Sequence, residues 1–177
     1  MYCGTNKTAR SSQCQIAEAL ITLMRRKPFS TISISEICRL AGVSRQTFYS
    51  LFGTKEDVIS YVLAESYGYS MDSENVPDDT PLERMCRGYS RYIVSQQQFL
   101  ELLVQNNIGY LLQDSIAESL LHCECFLIGR PATAREYAAN FTAGGISGVV
   151  RQYIVQQTAP ESLSRILMEL FSGEIFL

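Results

Sequence analysis

Residues 32–58 read ISISEICRLAGVSRQTFYSLFGTKEDV, and their spacing sets the fold. Ser33 opens a helix, and Glu36, three residues on, can reach back to the cap. Ile34, Ile37, Leu40 and Ala41 are expected to supply its buried side. Gly42 follows, a residue free to take the positive φ of a tight inter-helix turn. Val43 plugs between the helices, small Ala41 allows close approach, and Ser44 caps a second helix, Arg45–Leu51. Thr54 and Asp57 box the next one, expected to reach Tyr69. This is the spacing of a helix-turn-helix.

On Arg45–Leu51, Phe48 and Leu51 are expected to turn inward with Phe52, leaving Arg45, Gln46, Thr47 and Tyr49 outward. Arg suits guanine, Gln suits adenine, and a Thr methyl can meet thymine. Tyr49 and Lys55 suit phosphate oxygens, as do the helix-opening Ser33 and Ser44. The DNA-binding set is therefore Ser33, Ser44, Arg45, Gln46, Thr47, Tyr49 and Lys55, with double-stranded DNA as the partner.

Outward from this stretch, no segment reads as a strand. Apolar residues recur at three and four, the period of helices packed on a core. A first helix is expected over Ser11–Arg26, ended by Lys27 and Pro28. Met71–Thr80 is acidic, holds Pro77, and reads as a linker. Thr80, Pro81 and Glu83 restart a helix, broken again near Ser95. Further helices are expected over Ile108–Ile128, Ala132–Gln156 and Pro160–Phe171, about nine in all. The fold class is all-α: a three-helix head over residues 1–57 and a helical body over 58–177.

Charge supports two parts. The first sixty residues hold eight Lys and Arg against four Asp and Glu, a head of +4, so the rest carries −7 of the chain's −3. A basic head on an acidic body suits phosphate binding. No apolar run approaches the roughly 20 residues of a membrane helix, and Met1–Arg10 lacks the apolar stretch of a secretory signal. A cytoplasmic protein without membrane attachment is expected.

Six cysteines, Cys3, Cys14, Cys38, Cys86, Cys123 and Cys125, are scattered and read as free, mostly buried thiols. If His122–Cys125 is helical, Cys123 and Cys125 point about 200° apart and do not share an ion. No metal and no cofactor are expected. One histidine and no nucleophile–base pair leave little for catalysis, so the chain is expected not to be an enzyme.

The whole stretch resembles the TetR family of repressors through Ile34, Ile37, Ala41, Gly42, Val43, Ser44, Thr47, Phe48, Tyr49, Phe52, Lys55 and Glu56, a likeness covering about residues 10–62. Many members carry a small residue where this chain has Gln46. The segment FTAGGISGVVRQYIVQQ (141–157) is similar to the subgroup that includes the dihydroxyacetone-kinase coactivator, in which a Trp is common near Tyr153; this chain has none. The resemblance implies a homodimer on a near-palindromic operator. It also implies a body that takes a small-molecule effector, whose binding shifts the linking helix and releases a repressor. The alternative is a coactivator governed by a protein partner. A ligand pocket would draw on Tyr89, Tyr92, Tyr110, His122, Phe126, Tyr137 and Phe141. The dimer interface would draw on Gly145, Val149, Tyr153, Leu163, Leu167 and Leu170, because Gly144, Gly145 and Gly148 each cost about 1 kcal/mol in a helix unless another helix approaches closely.

Overall fold

The computed structural model describes residues 7–71, 80–123 and 126–173. Among them are nine α-helices and no strand: α1 Lys7–Met24, α2 Ile34–Ala41, α3 Arg45–Leu51, α4 Lys55–Met71, α5 Pro81–Ser95, α6 Gln97–Gln105, α7 Tyr110–His122, α8 Ala132–Gln156 and α9 Pro160–Ser172. Of the expected linker Met71–Thr80, Met71 ends α4 and Thr80 caps α5, and 72–79 lie outside the described residues.

The chain divides into two compact units between Leu63 and Ala64. The expected boundary was 57/58. Residues 58–63 stay with the head because Val58, Ile59 and Leu63 are buried and Tyr61 meets Phe52 edge-on at 5.7 Å.

In the head, α1 buries Ile16, Ala17, Ala19, Leu20 and Met24. It starts at Lys7 rather than Ser11, since residues 7–10 hold no Gly or Pro and each added residue extends a formed helix with one more bond. A 3₁₀ turn at Phe29–Thr31 leads to α2. There Ser33 and Glu36 form the reciprocal capping box: Ser33 Oγ accepts from Glu36 N at 3.3 Å and Ser33 N donates to Glu36 Oε2 at 3.0 Å. Gly42 sits at φ 68°, and its N–H and that of Val43 both bond the Cys38 carbonyl. Ile37 and Cys38 are buried, but Leu40 is 48% exposed, against expectation. It lies about 200° around the helix from Cys38, on the outer face.

In the body, Thr80 and Glu83 box the start of α5, which buries Cys86, Tyr89, Tyr92 and Ile93. Bonding of Thr80 lowers the Glu83 carboxyl from its usual range. Gln96 separates α5 from α6. Helix α7 ends at His122 instead of Ile128. His122 Nδ1 bonds the Glu118 carbonyl at 2.8 Å, and the Arg135 guanidinium donates to the carbonyls of Leu121 (3.0 Å) and Cys123 (3.4 Å). A cation on the last carbonyls satisfies a helix C-terminus. Leu127 and Gly129 then take positive φ. Cys123 is an extended cap beyond the helix, and Cys125 lies outside the described residues. Among the described residues no cluster of His, Cys, Asp and Glu could hold a metal.

The Glu36 carboxyl is held down to about 2, first by the Lys27 ammonium at 2.6 Å and then by the Ser33 amide and hydroxyl. A carboxylate with a lowered folded pKa adds stability that is whole above its unfolded value, near 4.5, and is lost as pH falls toward 2. Replacing Glu36 with Gln is expected to flatten the head's melting temperature between pH 4.5 and 2 relative to wild type, as measured by circular dichroism.

Candidate nucleic-acid interface

Seven residues make a helix too short to persist alone, so α3 is held by its ends and one face. Ser44 Oγ accepts from Thr47 N at 3.0 Å and lies 2.8 Å from Thr47 Oγ1. Phe48, Leu51 and Phe52 are buried. What remains outward is Arg45, Gln46, Tyr49 and Ser50, all exposed, with Thr47 half-exposed. The Arg45 guanidinium lies over the Tyr49 ring, 6.0 Å from its centroid.

Four of the expected contacts have prior commitments. The Ser33 hydroxyl donates to Glu36 Oε2 at 2.8 Å, and Ser44 and Thr47 engage each other. Lys55 differs most from expectation. Its ammonium donates to the carbonyls of Phe29 (2.6 Å), Ile32 (3.1 Å) and Ser30 (3.5 Å), and sits 4.4 Å from the Phe29 ring centroid. Three N–H donors meet three carbonyls, so Lys55 ties the first turn of α4 to the turn before α2 instead of facing a phosphate.

The expected ligand set spans the full range of exposure. Tyr89 and Tyr92 are buried, Tyr92 Oη lying 3.3 Å from Ser66 Oγ and its pKa raised by burial. Phe126 is half-buried and His122 exposed. Tyr110 (52%), Tyr137 (82%) and Phe141 (79%) stand largely in the open.

Helix α8 shows why Phe141 stands in the open. It carries two seams with the same 4-3-4-3 spacing. Ala139, Ala143, Ile146, Val150 and Tyr153 are buried in the body. Phe141, Gly145, Gly148, Gln152 and Val155, two residues further on and so about 200° around, are exposed. Of the expected interface residues, Tyr153, Leu163 and Leu167 belong to the body's core, Tyr153 Oη donating to Gln97 Oε1 at 3.3 Å. Val149 and Leu170 are half-buried and Gly145 is exposed. Phe141, Gly148, Val149, Ile166, Leu170 and Phe171 line a groove of about 450 Å³ between α8 and α9, with Tyr153 and Leu163 also on its wall. Gln152 and Val155 were missed, although the second seam's spacing is visible in the sequence.

Burial raises the Cys38 thiol and pushes Cys86 up to about 11, so neither is a ready thiolate. Cys14 is exposed, 3.6 Å from Tyr61 Oη, and Cys123 is half-buried, against the expectation of mostly buried thiols.

A capped, two-sided helix with an outward Arg, Gln and Tyr, on a compact helical head followed by a helical body, defines a helix-turn-helix transcriptional regulator. Residues 16–62 match the TetR_N family, described as bacterial regulatory proteins, tetR family. A curated relative, the HTH-type dhaKLM operon transcriptional activator DhaS of Lactococcus lactis subsp. lactis (strain IL1403), is 21% identical over 172 residues, 90% of this chain and 88% of that one. The solved structure of Lin0861 from Listeria innocua superimposes with a TM-score of 0.81 at 15% identity, covering 100% of this chain and 97% of that chain. A TetR-family regulator from Syntrophomonas wolfei str. Goettingen gives 0.63 at 16% identity, over 91% and 93% of the chains. Residues 16–62 thus carry a TetR-type DNA-binding domain, and the chain as a whole is similar to TetR-family transcriptional regulators.

Lys55→Met is expected to destabilise the head by about 2 kcal/mol, the scale of charged hydrogen bonds lost without replacement. In a salt titration of DNA binding, the slope of log K against log salt is expected to stay as in wild type. A phosphate contact would instead lower it by about 0.9 per head.

Proposed function

We propose that two copies of the chain read a near-palindromic operator, each laying the outward face of α3 in a major groove. One observation carries the reading: the polar side chains of α3 that match base edges are the ones its packing leaves exposed. Arg45 and Gln46 would contact bases and Tyr49 a phosphate. The hydroxyl proton left over in the Ser44–Thr47 pair would add a phosphate contact, whereas Ser33 would not, since its N–H and O–H are both spent on Glu36.

The pairing surface we assign is the outer seam of α8 with the groove beside α9. The glycines support it. A Cβ at Gly148 would meet nothing within 4 Å, one at Gly144 would only touch Gln113 at 3.7 Å, and one at Gly145 the Phe171 ring at 3.5 Å. None is demanded by packing inside one chain, yet each costs the helix about 1 kcal/mol. A second copy crossing closely at Gly145 and Gly148 would give them a purpose and cover Phe141 and Val155.

For the sense of regulation we favour activation, possessed by name in the DhaS relative that matches across most of this chain. Binding-site selection from random duplexes, followed by transcription in vitro on the selected operator, tests both parts. Increased transcript agrees with activation. Decreased transcript restored by a metabolite would establish ligand-relieved repression instead.

Arg45→Ala with Tyr49→Ala is expected to lose preference at the position Arg45 reads and to weaken binding to every sequence, while leaving the circular dichroism spectrum intact. Gly148→Leu is expected to fold, since the site is open, but to sediment as a single chain where wild type sediments as a pair. A wild type that is already single would remove the pairing reading.

A further inference from the structure

Arg45 and Tyr49 lie one helical turn apart on the outward face of α3, and a line of contacts joins them to the core. Phe48 is fully buried and meets the Tyr49 ring edge-on, with centroids 5.6 Å apart and planes at 85°. The Tyr49 ring, 51% exposed, in turn has the Arg45 guanidinium over it. Among the described residues no carboxylate pairs with Arg45.

We propose that Tyr49 is a specificity-determining positioning residue: its ring holds the Arg45 guanidinium along the groove-facing side of α3, while its hydroxyl is a separate, sequence-blind contact. The inference rests on the reading of α3 as the DNA-reading helix. An arginine side chain has several free torsions, and an unrestrained one spreads its donors over many directions. Stacking uses the flat face of the guanidinium, where an aromatic ring attracts it. The in-plane N–H groups stay free, and these make the two-pronged contact with O6 and N7 of guanine. The core thus sets the ring through Phe48, and the ring sets the reader.

Ring and hydroxyl can be separated. Wild type, Arg45→Ala, Tyr49→Phe, Tyr49→Leu and Tyr49→Trp are each put through selection from random duplexes. Affinities are then measured on the best site and its single-base variants. Arg45→Ala is expected to lose preference at one position in each half-site. Tyr49→Leu is expected to lose about 2- to 5-fold of discrimination at that same position, the size of an exposed cation–ring contact. Tyr49→Phe and Tyr49→Trp, which keep a ring, retain the discrimination while binding all sequences more weakly.

A Tyr49 with only a structural or phosphate role would lower every affinity alike and leave that ratio unmoved in Tyr49→Leu, which overturns the inference. So does an Arg45→Ala protein that selects the wild-type site. A wild type that selects no sequence overturns the reading of α3 as well, and is distinct from either.

Discussion

The angle between α2 and α3 hangs on one carbonyl. Cys38 receives the amides of both Gly42 and Val43, which is feasible because Gly42 adopts a left-handed conformation closed to most residues. That turn delivers Ser44 in an extended conformation at the start of α3, where its hydroxyl accepts from the Thr47 amide. With the turn set, Phe48, Leu51 and Phe52 drop into the core beside Ile16, Leu20 and Ile37, and the remaining positions of α3 face outward. The Arg45 guanidinium comes to lie over the Tyr49 ring, 6.0 Å from its centroid, by the same geometry, since both sit one turn apart on the face that burial leaves over.

Two lysines stiffen the approach to that turn. Lys27 pairs with Glu36, the carboxylate that also boxes Ser33, and Lys55 reaches across from α4 to the carbonyls of Phe29, Ser30 and Ile32. The segment between α1 and α2 is thereby held from both sides by cations whose charge is spent on fixed partners. The head achieves with hydrogen-bonded cations what a body of larger size would achieve with more apolar surface.

What could be read from residue order alone was whatever is local. The capping boxes at Ser33–Glu36 and Thr80–Glu83, the cap at Ser44, and the spans of α2, α3 and α8 were legible because each depends on partners three or four residues away. The role of Lys55 was not, because its acceptors lie 23 to 26 residues upstream. The end of α7 was hidden for the same reason: Arg135 comes from the next helix. That Phe141 stands exposed on the groove beside α9 was not legible, because aromatic character says nothing of direction. Only the parallel spacing of two seams on α8 separates a side chain packed in its own body from one left in solvent.

Helix α3 also separates two kinds of information. Its inward residues, Phe48 and Leu51, answer to the core, while Arg45, Gln46, Tyr49 and Ser50 touch little that stability requires. Mutation can therefore rewrite the outer set without first passing through an unfolded head. A lineage built on this scaffold is free to drift toward new binding sequences by single steps, and duplicated copies can part ways in what they regulate while remaining equally sound as proteins.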